Sequence, residues 1–239
     1  MKKILVLALV LTTGTLFAQQ TSPAPKKQKI DLSNRPGDHL MLQLGTTSWS
    51  GVPDTINMGG LSKSLNAYVM FDYPFKSNPK LSSAIGIGLG SDHIGFSKTN
   101  LKIAELYKLL QFTNVRDTNH FKKTVLSTTY LEAPVELRYT ANPETGKGFK
   151  FAIGVKVGTM LNAHTRNTKW ENRDGTLLNN YVMKESSKHY FNTTRVTGTI
   201  RAGIGHVSVF ANYQFSSVIK EGYGPQVKPF SIGVALSGL

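Results

Sequence analysis

From residue 38 onward, apolar and polar side chains alternate with a period of two, the signature of a strand with two unlike faces. Between Phe149 and Val157 the odd positions Phe149, Phe151, Ile153, Val155 and Val157 are apolar. The even positions are Lys150, Ala152, Gly154 and Lys156. Ser83–Gly90 sets Ile85, Ile87 and Leu89 against Ala84, Gly86, Gly88 and Gly90. Leu131–Tyr139 sets Leu131, Ala133, Val135, Leu137 and Tyr139 against Glu132, Pro134, Glu136 and Arg138. The pattern predicts eight strands, near 38–49, 62–75, 81–96, 124–140, 149–165, 190–204, 206–217 and 227–238. Short connections at 76–80, 141–148 and Gly205-His206 alternate with longer ones at 50–61, 97–123, 166–189 and 218–226. That alternation predicts an all-β fold, an eight-stranded antiparallel up-and-down transmembrane β-barrel over residues 38–239. An even strand count puts both termini at the end with the short turns, expected to be periplasmic.

The chemistry of the two faces separates a membrane barrel from a soluble one. A soluble barrel turns its large apolar residues inward and needs a charged exterior. Here the second face is mainly Gly, Ala, Ser and Thr, which suits the crowded interior of an eight-stranded barrel. The apolar face carries aromatics at its expected periplasmic boundary: Tyr73, Phe75, Tyr139, Phe149 and Phe151. Trp49, Phe96, Tyr130 and Phe215 lie near the opposite boundary, with some out of parity. Asp72, Glu132, Glu136, Arg138, Lys150, Lys156, Arg195 and Arg201 fall on the inner face. Isolated charges there are costly, so a paired network is expected, either as a structural plug or as a catalytic or conducting site.

Residues 1–18 read as a secretory signal peptide: Lys2 and Lys3, an apolar run from Ile4 to Leu11, and Ala18 before Gln19 and Gln20. A membrane anchor is the alternative, but the apolar run is short for a span. Residues 19–37 are polar and rich in Pro and Lys, and read as a flexible periplasmic leader. The formal net charge is +14, which removal of Lys2 and Lys3 lowers to +12. The cations are scattered rather than bunched, which favours a basic surface facing outer-membrane lipid and lipopolysaccharide and argues against a nucleic-acid partner.

There are no cysteines, so disulfides and thiolate chemistry are excluded. His39, His93, His120, His164, His189 and His206 show no metal-ligand spacing, and no phosphate loop, dinucleotide fingerprint or G-x-S-x-G motif is present. Neither a metal nor a cofactor is expected. The segment 101–112 has Leu101, Ala104, Leu106, Leu109, Leu110 and Phe112 at near-helical spacing. It predicts a helix in the longest outer loop, one that caps the barrel, lies on the membrane surface or contacts a partner.

The strand Tyr130-Leu131-Glu132-Ala133-Pro134-Val135-Glu136-Leu137-Arg138-Tyr139 resembles the PorT-like outer-membrane β-barrel family of Bacteroidetes. The strand containing Gly154-Val155-Lys156-Val157-Gly158-Thr159-Met160-Leu161 and the Met1-Lys2-Lys3 and Phe17-Ala18-Gln19 ends of the signal also resemble it. Ala133 and Glu136 depart from the aliphatics more usual there. The resemblance implies an eight-stranded barrel in the outer membrane; it implies no single function, and no catalytic residue carries over from it. One namesake member takes part in the type IX secretion system.

These features point to a non-enzymatic structural or accessory subunit of an envelope complex, linked to secretion or assembly. The alternative is a lipid- or lipopolysaccharide-modifying enzyme of the lipid A deacylase kind, with His164 beside Thr165 as its candidate pair.

Overall fold

The computed structural model describes residues 39–238; the expected signal peptide and leader lie outside the described residues. The strands are β1 (Leu40–Ser50), β2 (Lys63–Phe75), β3 (Asn78–Phe96), β4 (Thr99–Lys102), β5 (Gln111–Asn114) and β6 (His120–Thr140). They continue with β7 (Phe149–Glu171), β8 (Leu177–Ser186), β9 (Thr194–Ile204), β10 (Val207–Gln214) and β11 (Lys228–Ser237). Eight of them, β1, β2, β3, β6, β7, β9, β10 and β11, pair antiparallel with their neighbours in a closed ring. The β1–β11 and β6–β7 ladders complete the closure. A closed ring satisfies the backbone groups of every wall strand without water, the condition for crossing a hydrocarbon layer with strands. Among the described residues no helix is long and apolar enough to cross a membrane.

The alternation seen in the sequence becomes two faces of the wall. Leu44, Leu65, Val69, Phe71, Ile85, Ile87, Leu89, Val135, Val155, Ile200, Val209 and Val234 all point outward and stay exposed. Gln43, Ser64, Asn66, Thr197, Ser208, Asn212 and Ser231 point inward and are buried. Large apolar side chains outside and polar ones inside is the reverse of a water-soluble barrel. It is favourable only where the exterior solvent is lipid.

The two ends differ. At one, called here the turn end, Lys76-Ser77 joins β2 to β3 and Gly205-His206 joins β9 to β10, with Gly205 at φ 61°. β1 begins and β11 ends at the same level. At the other, the loop end, strands run further than the sequence pattern predicts. β7 continues to Glu171, and β8, inside the expected loop 166–189, pairs with its upper half. The lower half of β7 pairs with β9 instead. Among the described strands, none pairs with the second edge of β8.

The loops of this end fold over the lumen. Trp49, Ile94, Phe96, Leu101, Ile103, Leu110, Leu126, Tyr130, Met160, Tyr190, Phe191, Val218 and Ile219 form one buried apolar cluster. Here two expectations fail. The segment 101–112 is not a helix: Leu101 pairs with Phe112 across the β4–β5 hairpin, with a loop between them. Leu101 and Leu110 are buried in the cap, Phe112 packs against it, and Leu106 and Leu109 are exposed. A helix would hold all of these on one face. The hairpin sends Leu101 and Leu110 into the cap from separate strand ends, and short apolar runs satisfy either period. Trp49, Phe96 and Tyr130 likewise belong to the cap rather than to an outer aromatic belt; of that group only Phe215 faces outward.

Inner glycines make room for large inner side chains. A Cβ on Gly88 would stand 2.0 Å from the Ala67 carbonyl oxygen and 2.6 Å from the Tyr68 ring. Gly88→Val is therefore expected to prevent β2 and β3 from closing over Tyr68. On unheated SDS gels the native chain is expected to run as a compact band, and the variant only at its unfolded position.

Candidate functional site

Two places in the barrel concentrate polar chemistry: the lumen and the outer face near the loop end. In the lumen, β6 supplies Glu132, Glu136 and Arg138 at alternate inward positions. Most of their partners come from β2 and β9, each one strand beyond the neighbours of β6 on the ring. Toward the loop end, Arg195 Nη1 lies 2.9 Å from Asp92 Oδ2 and Arg195 Nε lies 3.2 Å from Glu132 Oε1. The Tyr68 hydroxyl donates to the other oxygen of Glu132, and Lys156 Nζ donates to that hydroxyl at 3.2 Å. Both cations also sit over rings, Lys156 over Tyr68 at 5.4 Å and Arg195 over Tyr130 at 4.8 Å. Toward the turn end, Glu136 Oε2 accepts from Arg138 Nε at 2.9 Å and from Arg201 Nη2 at 3.1 Å. Asp72 Oδ1 accepts from Ser82 Oγ at 2.7 Å and lies 3.8 Å from Arg138 Nη1. Arg201 Nη1 reaches Ser237 Oγ at 3.1 Å. Lys150 stands at the turn-end mouth with Arg138 and Arg201.

All eight inner-face charges expected from the sequence therefore lie inside. They form two groups, Arg195 and Lys156 with Glu132 and Asp92 toward the loop end, and Arg138, Arg201 and Lys150 with Glu136 and Asp72 toward the turn end. Asp92 and Tyr68 were not among the eight, although both have inward parity: Asp92 follows Gly86, Gly88 and Gly90 on β3, and Tyr68 lies between Asn66 and Met70 on β2. The glycines are small because the acid is large. A Cβ on Gly90 would stand 2.7 Å from a Glu132 oxygen, and one on Gly158 2.8 Å from Glu132 Cγ. Filled, paired and capped by the apolar cluster, this lumen holds a structural plug rather than a chain of water-accessible titratable groups.

Of the turn-end aromatics, Tyr73, Phe75 and Phe149 are exposed on the outer face. Tyr139 and Phe151 are half-buried and directly paired across the β6–β7 ladder.

A family model described as an outer membrane protein beta-barrel domain matches residues 17–219, more than half of the chain. The chain belongs to this family. It is an outer-membrane β-barrel protein, and the outward leucines and valines of its wall are its lipid-facing surface. No curated protein matches it.

On the outer face of the barrel, near its loop end, one level of the ladder carries His93 on β3, Ser127 on β6, His164 on β7 and Ser186 on β8. His93 Nδ1 and Ser127 Oγ are 2.7 Å apart, and His93 Nε2 lies 3.3 Å from Ser91 Oγ. This pair was missed in the sequence because it joins residues 34 positions apart on neighbouring strands. The sequence-neighbour pair fails for the complementary reason. His164 faces outward and Thr165 is buried on the inner face, so they cannot act together. Among the described residues no cluster of His, Asp and Glu forms a metal site.

At the loop end Tyr107 and then Lys102, 2.9 Å away, hold the Glu105 carboxyl below its ordinary range. The Tyr190 hydroxyl donates to the backbone carbonyl of Glu105 and receives the Tyr107 N–H at 2.8 Å. That fixes the exposed Leu106–Leu109 stretch on top of the cap.

Removing one member of a buried ion group leaves the others uncompensated, at a cost of about 3–5 kcal/mol. Arg195→Met is expected to lower unfolding stability in detergent by an amount in that range. Urea titration followed by tryptophan fluorescence measures it.

Proposed function

We propose that this protein is a non-conducting structural or accessory subunit of an envelope complex, with its turn end and both chain termini in the periplasm and its loops at the cell surface. The observation that carries this reading is the surface of the cap. Leu106 is 79% exposed, and Tyr107 and Leu109 are exposed beside it, on a segment held rigidly by Tyr190. These residues sit beyond the lipid-facing band, where exposed apolar groups in a cluster mark contact with another protein. The plugged lumen supports the same reading, since a barrel of this size filled with paired charges has no path for ions or solutes. The resemblance of the Tyr130–Tyr139 strand to PorT-like proteins favours a role in secretion or assembly. A photo-crosslinker placed at Leu106 or Leu109 is expected to capture one envelope protein in near-stoichiometric yield in native membranes. The same group at lipid-facing Val155 should capture none. A chain that leaves mild detergent as a free monomer, with no adduct from either loop position, would sink the reading.

The His93–Ser127 contact favours a second reading, a hydrolase acting on acyl esters of the outer leaflet, with Ser127 as nucleophile and His93 as base. Against it, the other His93 nitrogen meets Ser91 rather than a carboxylate, so nothing acidic orients the imidazole. On this reading Ser127→Ala changes the acyl-chain pattern of lipid A, read by mass spectrometry of extracted membranes. An unchanged pattern leaves the accessory reading alone.

A further inference from the structure

We infer that the outer face of the barrel wall, just beyond the lipid-facing band at the loop end, binds the phosphate groups of lipid A through Lys63, Lys123, Arg166 and Lys184, with His93 and His164 between them. The inference rests on the proposed orientation, which puts this face in the outer leaflet. It concerns a different surface from the cap residues assigned to a protein partner.

The ladder register assembles the site from five strands. Lys63 on β2 pairs with His93 on β3, His93 with Ser127 on β6, and Ser127 with His164 on β7. One outward step higher, Arg166 pairs with Val125 on β6 and with Lys184 on β8. Lys123 follows on β6 beside Thr168. All of these line one open groove of about 980 Å³, and no carboxylate lines it. The nearby acids are engaged elsewhere. Glu171 holds Lys122 at 3.1 Å, and Glu185, on the opposite face of β8, accepts the Ile103 N–H. Cations gathered without counter-charges repel one another, an arrangement that favours an anionic ligand.

Height selects which anion. Leu131 and Leu161 are the last exposed large hydrophobics of β6 and β7 toward the loop end; above them Val125 is half-buried among the cations and Phe121 packs edge-on against Trp170. At about 3.4 Å per residue and a strand tilt of about 40°, His164 lies about 8 Å and Arg166 about 13 Å above Leu161 along the membrane normal. That is the headgroup layer, and long basic side chains bend down into it. A lipid whose acyl chains lie on Leu89, Leu131 and Leu161 brings its phosphates to this groove. Lipid A fits because it carries phosphates on a broad sugar base that can span neighbouring strands.

The test uses the purified full chain in detergent and bis-phosphorylated lipid A as probe, with binding read by native mass spectrometry. The native chain is expected to bind. The triple variant Lys123→Gln, Arg166→Gln, Lys184→Gln should bind about 100-fold more weakly, from three surface cations removed, while keeping its compact gel band. Dephosphorylated lipid A should bind as poorly as the variant does. Equal affinity of variant and native chain, or of the two lipids, overturns the inference. Phosphatidylglycerol binding as tightly as lipid A, or displacement by millimolar inorganic phosphate, overturns the assignment to lipid A. Orientation is read separately. The chain has no cysteine, so Asp174→Cys offers one thiol in the β7–β8 turn to a membrane-impermeant maleimide. Labelling on intact cells is expected. Labelling only after permeabilisation overturns the orientation, and with it this inference, even where lipid A binds in vitro.

Discussion

The interior of this barrel is governed by one constraint: a charge placed inside an eight-stranded wall has no water to retreat to, so it must find an opposite charge within reach across the lumen. Glu132 shows how much follows from that. Its two oxygens face Arg195 from β9 and the Tyr68 hydroxyl from β2, and Lys156 from β7 closes the circle through Tyr68. The acid therefore ties together strands that are not neighbours in sequence. Its size dictates Gly90 and Gly158 on either side. Glu136 repeats the scheme nearer the turns with Arg138 and Arg201. The wall can be outwardly simple because its specificity is carried inside.

This interior bears on function through exclusion. The lumen is filled by two ion groups and roofed by Trp49, Phe96, Tyr130, Tyr190 and their neighbours, which is why the proposed function places contacts on the outside of the barrel. Interaction surfaces are then the outer wall and the cap. The two surfaces carry different chemistry. The exposed stretch around Leu106 is apolar and held in place from below by Tyr190, whereas the wall beside His93 and Arg166 is cationic and open. The proposed protein contact and the proposed headgroup site thus use different residues.

Strand identity and facing were legible because burial on one face and lipid on the other impose a strict period of two. The eight wall strands, and the inward direction of Glu132, Glu136, Arg138, Lys156, Arg195 and Arg201, follow from that period alone. What was not legible depends on contacts between distant strands. The period marks Asp92 and Tyr68 as inward, but only the β3–β6 and β2–β3 registers bring them to Arg195 and Glu132. The pairing of His93 with Ser127 is of the same kind. The segment 101–112 misled for another reason. Its leucines answer to the cap above them rather than to a periodic face, so their spacing resembles a helix while Leu101 and Phe112 sit opposite each other in a hairpin.

On β7, Met160 pairs with Tyr130 and Asn162 with Thr129, so Leu161 is an extra residue in the ladder. Below it the odd-numbered side chains face out; above it the even-numbered ones do. One residue thus changes the reading frame of the strand at the upper limit of its exposed leucines. It lets His164 and Arg166 point away from the cap while Ala163, Thr165 and Asn167 turn in beneath it. If the strand ran through this level without a bulge, with Leu161 itself opposite Thr129, the imidazole and the guanidinium would come round under the aromatic roof; deleting Leu161 would straighten the strand and leave them outward. Insertions and deletions along this strand are consequently constrained by count as well as by chemistry, and an odd change is tolerable only where a bulge can take it up.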